Sequence, residues 1–366
     1  MERRKKVLIL TNSSFMFYKF RKELLKELQK SYLVELGVPM EVFTEELSLL
    51  TDKMIDLPIC RRSKNPLKEL SLLWSYFRII YNEKPDIVMT YTIKPNIYGG
   101  LVCRFLKIPY IMNITGLGSA FNKRYLRSII EFLYRIASKS AKSVFFQNNA
   151  NMNYFTENII CKEIAIIVPG SGVNLDEFCP DNKMSDNFVT FTFIGRMMRE
   201  KGIDELLEAA KIINDHHTNT RFNLIGPIED KIYEEIFNHI ADDRIQYIGL
   251  VKDVKPYIAS SNCIVNPSYH EGLSNVLLEG AAMARPLIAS DIPGCSEIIQ
   301  NEYNGFLIKK GSSQDLVNAI EKFLKMGLTK QQEFGENSRI LVEGKFCRKR
   351  VTNIYLDKVN ELIGGM

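Results

Sequence analysis

The sequence lacks the signatures of several common chemistries. Its seven cysteines lie far apart and form no C-x-x-C pair, which argues against zinc or thioredoxin-type sites and fits a reducing compartment. It contains no G-x-x-x-x-G-K-[ST], H-E-x-x-H or G-x-S-x-G motif, so phosphate-loop, zinc-peptidase and serine-hydrolase chemistry are not indicated. No D-x-D occurs either, so a paired-aspartate magnesium clamp is absent, and we expect no metal and no other cofactor.

Long apolar runs are also missing. No stretch of about 18 apolar residues occurs, which predicts that no helix spans a membrane. The basic residues 3–6 precede only the short apolar run Val7–Leu10, which is too short for a signal peptide. We therefore expect a first buried strand there, in a cytoplasmic protein.

Length and charge indicate two domains of different character. A chain of 366 residues, 46% of them apolar, is long enough for two buried cores. Residues 1–180 carry 26 Lys and Arg against 17 Asp and Glu (net +9), whereas residues 181–366 carry 22 against 26 (net −4). The basic half is expected to face an anion: a phosphorylated substrate, an anionic lipid or nucleic acid. The chain has no nucleic-acid-binding motif, which disfavours the last of these.

Strand-like apolar runs alternate with helical patterns through both halves. This order predicts an α/β protein with two Rossmann-like parallel-sheet domains facing across a cleft. The predicted domains are residues 1–170 and 188–345, joined by a linker over 171–187, and a final helix over 346–366 packs back toward the first domain. Because open parallel sheets bind ligands outside the carboxyl ends of their strands, the loops that follow strands are the candidate sites.

The most informative loop follows the predicted strand Cys263–Asn266. Gly272 permits a close approach of the backbone, and a helix is predicted to begin near Ser274–Asn275, where free N–H groups would offer a phosphate site. Glu271 stands just before that helix and Glu279 about one turn inside it. Each carboxylate could accept two hydrogen bonds from adjacent sugar hydroxyls.

The spacing of these two glutamates decides nothing by itself. The pairs Glu27/Glu35 and Glu200/Glu208 share the same E-x7-E spacing but lie in ordinary helical or strand patterns without a glycine-rich approach. Solvated glutamates that are favoured by the dipole of a helix N-terminus remain an alternative explanation.

A second loop follows the predicted strand Val189–Ile194. Gly195 permits a tight turn, and Arg196 and Lys201 are expected to stand above the strand end. A guanidinium fork beside a lysine point charge suits a diphosphate. A solvated strand-to-helix turn is the alternative.

Two loops of the first half are less specific. Thr115-Gly116 follows the strand Tyr110–Ile114 and begins a segment that matches only part of the G-x-G-x-x-G dinucleotide motif. The segment is also not in the first βα turn, where that motif belongs, so NAD binding is not expected. In the first βα turn, Ser13 or Ser14 would cap the next helix and Arg21 would project from its first turns. A surface arginine on a capped core helix is the alternative.

In combination these loops resemble the family 4 retaining glycosyltransferases, and in particular a branch that makes bacterial capsules and lipid-linked oligosaccharides. The resemblance extends over essentially the whole chain, is strongest from Phe188 to Ile308, and implies the GT-B fold. The matching segments are Gly195-Arg196…Lys201-Gly202, Ser268-Tyr-His-Glu271-Gly272-Leu273-Ser274-Asn275…Glu279, Gly280–Pro286, Asn304-Gly305 and, in the first half, Phe17–Arg21 and Thr115–Gly118.

The resemblance implies a role for each matched residue. Arg196 and Lys201 would hold the donor diphosphate and stabilise the leaving nucleotide, Glu271 would bind hydroxyls of the transferred sugar, and Glu279 would bind the ribose. The backbone N–H groups of Leu273, Ser274 and Asn275 would cradle the diphosphate, and Gly226 and Val251 would lie near the base. Gly195 and Gly272 are the remaining donor-binding residues. The implied acceptor-side residues are Arg21, Thr115, Gly116 and His270.

The expected activity is a retaining transfer of a hexose or N-acetylhexosamine from a nucleotide sugar, with a UDP-sugar favoured. The acceptor would be lipid-linked or a saccharide, in surface polysaccharide or oligosaccharide synthesis. A GT-B-like UDP-sugar 2-epimerase and a non-catalytic assembly subunit are the alternatives.

A membrane contact is also expected, at the inner face of the cytoplasmic membrane. Between Leu101 and Lys142 there are eight basic residues and one acidic residue. The basic side of a predicted helix over Arg124–Ser138, with Phe121 and Tyr125, would rest on anionic lipid. A core-facing helix with a solvated basic back is the alternative.

Overall fold

The chain folds into two compact units, each built on a parallel sheet. A computed structural model describes residues 3–59, 65–116, 124–180 and 188–364. One unit comprises Met1–Ser171 with Arg348–Met366, and the other comprises Gly172–Cys347. The prediction of an α/β protein with two parallel-sheet domains is confirmed.

The first unit alternates strands and helices along the chain. Its elements up to residue 171 are β1 (Lys6–Leu10), α1 (Ser14–Gln29), β2 (Leu33–Val38), α2 (Thr44–Ser48), β3 (Lys53–Asp56), α3 (Pro66–Glu83), β4 (Ile87–Tyr91), α4 (Gly100–Leu106), β5 (Tyr110–Ile114), α5 (Arg124–Ala137), β6 (Ser143–Phe146), α6 (Asn149–Asn158) and β7 (Ala165–Ile167). A π-helical turn over Pro95–Gly99 leads into α4. Within the described ranges the strand order is β3-β2-β1-β4-β5-β6-β7, and Val7 pairs in parallel with Val34 on one side and Ile87 on the other.

The second unit repeats the scheme. Its elements are β8 (Val189–Ile194), α7 (Ile203–His216), β9 (Thr220–Ile225), α8 (Ile232–Asn238), β10 (Ile245–Gly249), α9 (Lys255–Ala259), β11 (Cys263–Asn266), α10 (Asn275–Ala282), β12 (Leu287–Ser290), β13 (Gly305–Ile308), α11 (Ser313–Lys325) and α12 (Leu328–Lys345). The described strands lie in the order β10-β9-β8-β11-β12-β13, again with parallel pairing. Apart from the edge strand β10, the strands are largely buried because helices cover both faces of the sheet.

The last helix, α13 (Arg348–Gly364), belongs to the first unit. It packs beside α1, where Tyr355 and Val359 join the core between α1 and the sheet. The Arg348 guanidinium lies 3.2 Å from the Glu23 carboxylate, which fixes the start of the helix.

The segment 171–187, which its composition assigned to a linker, is structured over residues 172–180, which belong to the second unit. The Val173 N–H donates to the Phe346 carbonyl at 2.8 Å, and Phe178 enters the core beside α10. Two apolar side chains therefore anchor a stretch that otherwise has loop composition. Residues 181–187 lie outside the described ranges.

Candidate active site

The reversal of strand order in the second unit creates one natural binding edge. The central strand β8 has β9 on one side and β11 on the other, so the connections leave in opposite directions at the carboxyl ends of β8 and β11. Ligands of open α/β sheets bind at such a switch point. The loop after β8 carries Lys201, and the loop after β11 carries Glu271.

A buried ion pair joins these two loops. The Lys201 ammonium lies 2.6 Å from Glu271 Oε1, and the two side chains are only 19% and 15% exposed. Oε1 also accepts from the Ser268 hydroxyl at 2.9 Å and from the Asn266 amide at 3.3 Å. Glu271, predicted to bind the sugar, and Lys201, predicted to bind the diphosphate, are therefore in direct contact.

The surroundings keep Glu271 ionised. Burial alone would raise the pKa of Glu271, but the Lys201 charge and the hydrogen bonds from Lys201, Ser268 and Asn266 outweigh it and lower the pKa below its usual value. The site therefore holds an ionised carboxylate beside the Lys201 side chain.

Glycines bring the loop backbones together. Gly202 has φ +72°, and a Cβ there would lie 2.2 Å from the Pro267 carbonyl oxygen, so the start of α7 packs directly on the loop after β11. The Tyr269 N–H adds a hydrogen bond of 2.9 Å to the Glu200 carbonyl. Close backbone packing thus sets the Lys201–Glu271 distance.

The start of α10 corrects one sequence-based expectation. Ser274 is the N-cap residue, and its hydroxyl accepts from the Asn266 amide at 2.8 Å. Its N–H, predicted to face a diphosphate, instead donates to the Gly294 carbonyl at 3.0 Å because the turn at Gly294 packs against the loop. Gly272, Leu273 and Asn275 flank this cap and stay predicted donor-binding residues.

Two further residues of the loop have defined surroundings. The Tyr269 hydroxyl donates to Glu205 on α7, and this hydrogen bond, with burial, raises the pKa of Tyr269 to about 12. Desolvation and the Lys310 charge lower the pKa of the exposed His270. At neutral pH His270 is therefore predominantly uncharged.

Arg196 stands apart from the buried pair. Its side chain is half exposed and lies 3.7 Å from the Glu229 carboxylate, an acidic neighbour that the sequence did not single out. The backbone at Gly195 is fixed by Gly226, which has φ +136° and whose Cβ would lie 1.9 Å from the Gly195 carbonyl oxygen. Val251 follows β10, two strands from β8 on the same edge as Gly226.

The predicted acceptor-side residues of the first unit meet around Arg21. Arg21 is not the surface arginine of the alternative interpretation: it is 5% exposed and lies against the rings of Tyr91 and Tyr355. When the Gln147 amide presents its oxygen to Arg21 at 3.2 Å, its nitrogen donates to the Thr115 carbonyl at 3.2 Å. Folding of α13 against α1 buries Arg21, which a local pattern does not reveal.

Two further predicted site residues are Gly116 and Glu279. Gly116, with φ +159°, ends the described part of its loop, and Leu117–Lys123 lie outside the described ranges. Glu279 lies in the second turn of α10, half-buried, as predicted from the helix start.

In the described ranges no group of three or more His, Cys, Asp and Glu side chains is placed to hold a metal ion, and metal independence stays a prediction.

Sequence reasoning missed the supports of this site. Asn266 and Ser268 orient Glu271, and Gly294, with φ +84°, would place a Cβ 2.6 Å from the Gly272 carbonyl oxygen. The Pro293-Gly294 dipeptide is a turn signal that could have drawn attention to this loop.

Family models match both units. A model described as "Glycosyl transferase 4-like" matches residues 6–148, and one described as "Glycosyl transferases group 1" matches residues 189–326.

Similar sequences carry names of the same kind. The chain is 28% identical to the N,N'-diacetylbacillosaminyl-diphospho-undecaprenol α-1,3-N-acetylgalactosaminyltransferase of Campylobacter jejuni, over 86% of this chain and 88% of the relative. It is 24% identical to the UDP-Gal:α-D-GlcNAc-diphosphoundecaprenol α-1,3-galactosyltransferase of Escherichia coli, over 88% of each.

Solved structures show the same fold. Anabaena HepE in complex with UDP-glucose superposes with a TM-score of 0.81 at 16% identity, over 97% of this chain and 99% of that one. A sucrose-phosphate synthase from Thermosynechococcus elongatus also gives 0.81, at 17% identity, over 99% and 100% of the two chains. The chain therefore belongs to the group 1, family 4-like glycosyltransferases, and it is a glycosyltransferase of the GT-B fold.

Proposed function

We propose that this enzyme transfers a hexose or N-acetylhexosamine from a UDP-sugar to a lipid-linked saccharide, with retention of configuration. The observation that carries the donor half is the buried Lys201–Glu271 pair at the switch point between β8 and β11. An ammonium and a carboxylate held 2.6 Å apart suit the two ends of the bond that is broken: the anionic diphosphate and the hydroxylated sugar.

The donor is expected to lie along the carboxyl edge of the second sheet. The diphosphate binds Lys201 and the start of α10, the sugar hydroxyls bind Glu271, the ribose binds Glu279, and the base lies toward Gly226 and Val251. Arg196 supplies a second positive charge from the same loop as Lys201, and its exposed side chain swings from Glu229 to the diphosphate. His270, next to Glu271 in the chain, is the proposed acceptor-side residue of this loop.

Catalysis is electrostatic in this proposal. The bond from the anomeric carbon to the diphosphate oxygen breaks as the acceptor oxygen bonds to the same face of that carbon, and the departing phosphate oxygen takes the acceptor proton. Lys201 and Arg196 stabilise the charge that develops on the leaving diphosphate. We nominate no protein nucleophile, and no metal is needed to neutralise the leaving group.

A lipid-linked acceptor is supported by the relatives and by charge. Both curated relatives described above are named for diphospho-undecaprenol-linked substrates. The first 180 residues carry a net charge of +9, which favours an acceptor that contains a diphosphate. Arg21, Thr115 and Gly116 are the proposed acceptor-side residues of this half.

The enzyme is proposed to bind the inner face of the cytoplasmic membrane peripherally. No helix within the described ranges is both long enough and apolar enough to cross a bilayer. The basic cluster suggested by the sequence is only partly described, because Phe121 and Lys123 lie outside these ranges. Arg127 is engaged with Glu131 and Tyr154 at 2.8 and 2.7 Å, so it is a weak lipid ligand.

A thermal-shift screen against UDP-, GDP- and TDP-sugars tests the donor. A UDP-sugar at about 100 times its Kd should raise the stability by about 2.7 kcal/mol, and the other two should do less. A stronger response to GDP- or TDP-sugars would contradict the choice of base. Incubation of the donor alone distinguishes a 2-epimerase, which would change the sugar without an acceptor.

A further inference from the structure

One side of α3 is apolar and exposed. Leu67, Leu70, Trp74 and Tyr81 are all more than half exposed, and steps of three, four and seven residues place them on one side of the helix. The partly buried ring of Phe77 stacks between Trp74 and Tyr81, at centroid distances of 5.3 and 5.7 Å. A continuous ridge of large apolar side chains therefore faces outward.

The neighbouring helices carry further exposed apolar side chains. Phe105 at the end of α4 is 74% exposed, and its ring lies 6.1 Å from that of Phe77. On α5, Tyr125, Ile129 and Phe132 are exposed at helical spacing. We call these eight exposed residues of α3, α4 and α5 the α3–α5 apolar face.

The three helices form one layer on the first sheet. The inner sides of α3, α4 and α5 share one core, which includes Tyr76, Val102 and Tyr134. Helix α4 contacts both of its neighbours, and the Arg104 guanidinium donates to the Ile136 carbonyl on α5 at 3.0 Å. The apolar face is thus the outer surface of a packed layer.

Such a face is unusual for a solvated helix. A surface helix normally turns polar residues outward, as α11 does with Gln314, Asn318, Lys322 and Lys325. A large exposed apolar patch marks a contact with another protein or with lipid.

Charge favours a lipid surface over a protein partner. The carboxylates on the three helices, Glu69, Glu83 and Glu131, each form an ion pair with Lys or Arg at 2.6, 2.7 and 2.8 Å. The net charge that remains on this layer is therefore positive, which suits the phosphates of anionic lipids. Exposed basic residues on or just after these helices are Lys68, Arg78, Lys107, Arg135 and Lys139.

We propose that the α3–α5 apolar face inserts into the interfacial region of an anionic phospholipid bilayer. Trp and Tyr suit this depth because their rings are apolar with a polar handle, and the flanking Lys and Arg reach the headgroups. The inference deepens the proposed membrane contact: hydrophobic insertion through α3–α5 contributes beyond the salt-sensitive adsorption expected from the basic stretch. The insertion itself requires no transfer activity.

The protein contains one tryptophan, and it lies on this face. The test is to add phosphatidylglycerol–phosphatidylcholine vesicles to the full-length protein and follow Trp74 emission and co-sedimentation. The emission should shift to the blue, brominated phospholipid should quench it, and part of the binding should survive high salt because insertion is not screened. The double variant Leu70→Gln/Phe105→Gln, which keeps Trp74, should lose at least about tenfold in vesicle affinity.

A matched control removes two exposed apolar residues elsewhere. Leu49→Gln/Leu328→Gln changes side chains that are 82% and 60% exposed and lie off the face, and it should bind vesicles like the wild type. Unchanged UDP-induced thermal stabilisation in both variants shows that they fold.

Three results would overturn the proposal. The first is Trp74 emission that does not change when vesicles are added. The second is equal vesicle binding by the two double variants. The third is dimerisation without lipid that Leu70→Gln/Phe105→Gln abolishes, because a second copy would then cover the face. A failure of the transferase proposal is seen separately, as no sugar transfer to a water-soluble diphosphate acceptor analogue.

Discussion

Replacing Glu271 with Gln removes one charge from the proposed donor site and keeps the size of the side chain. Removing one partner of a buried ion pair costs about 3–5 kcal/mol. Because the Glu271 and Lys201 side chains are 15% and 19% exposed, we expect solvent to reduce this to about 2 kcal/mol. For a unit of this size, that loss lowers the Tm by roughly 4–8 °C.

The effect on activity should separate from the effect on nucleotide binding. Glu271→Gln loses the carboxylate that orients Lys201 and accepts sugar hydroxyls, so kcat should fall by about 10²-fold or more. UDP without a sugar should bind as well as before, or more tightly, because Lys201 no longer has a competing carboxylate. The assays are steady-state sugar transfer, calorimetric titration with UDP, and thermal unfolding.

Glu27 provides the matched control. It also pairs with a lysine, Lys30, at 2.6 Å, but the two side chains are 39% and 66% exposed on the outside of α1. Glu27→Gln should change stability by less than about 0.5 kcal/mol and leave transfer intact. Equal activity in the Glu271 and Glu27 variants would refute the site assignment, and an equal Tm would refute the energetic estimate.

Four further outcomes follow from the structure. In urea unfolding, Gly202→Ala should lower the free energy of unfolding by more than about 2 kcal/mol, because the new Cβ meets the Pro267 carbonyl oxygen. Gly249→Ala should lower it by only about 1–2 kcal/mol, because Gly249 has φ +83° but open space around it. The pKa of Glu271 is lower in the folded protein than the value of about 4.3 in the unfolded chain. The ionised Glu271 therefore stabilises the fold at any pH above about 4.3, and this stabilisation is lost as the pH falls through the pKa of Glu271 in the folded protein. The Tm difference between the wild type and Glu271→Gln should therefore be constant near neutral pH and shrink in acid; a difference that grows in acid would contradict the sign. Arg196→Ala should cut kcat about 10²-fold with little change in Tm, and a large loss of Tm would indicate a structural role. Transfer should survive EDTA, and a strict need for Mg²⁺ or Mn²⁺ would show that the leaving group is neutralised differently.

Much of the fold is predictable from local pattern. Strands such as β1 and β11 are buried apolar runs, and the sequence marks them directly. The sequence pattern does not predict β3, because its end residues Lys53 and Asp56 are exposed and its apolar run is short. The pattern also does not predict the structure of residues 172–180, because two isolated apolar side chains anchor this segment rather than a continuous apolar run.

The site required the order of strands, which sequence does not show. Lys201 and Glu271 follow strands that are separated along the chain by β9 and β10, and they meet only because β11 lies beside β8. A helix start usually leaves such an N–H free for a ligand, and only the fold brings the Gly294 carbonyl to the Ser274 N–H. Long-range packing decides such details.

The most direct test of the proposed reaction is transfer of a labelled sugar from a UDP-sugar to a diphospho-undecaprenyl-linked saccharide, with the product linkage assigned by NMR. The wild type should form a product with the anomeric configuration of the donor, and Glu271→Gln should form it at least about 10²-fold more slowly. A product of inverted configuration, or unimpaired transfer by Glu271→Gln, would contradict the proposed donor site and its chemistry.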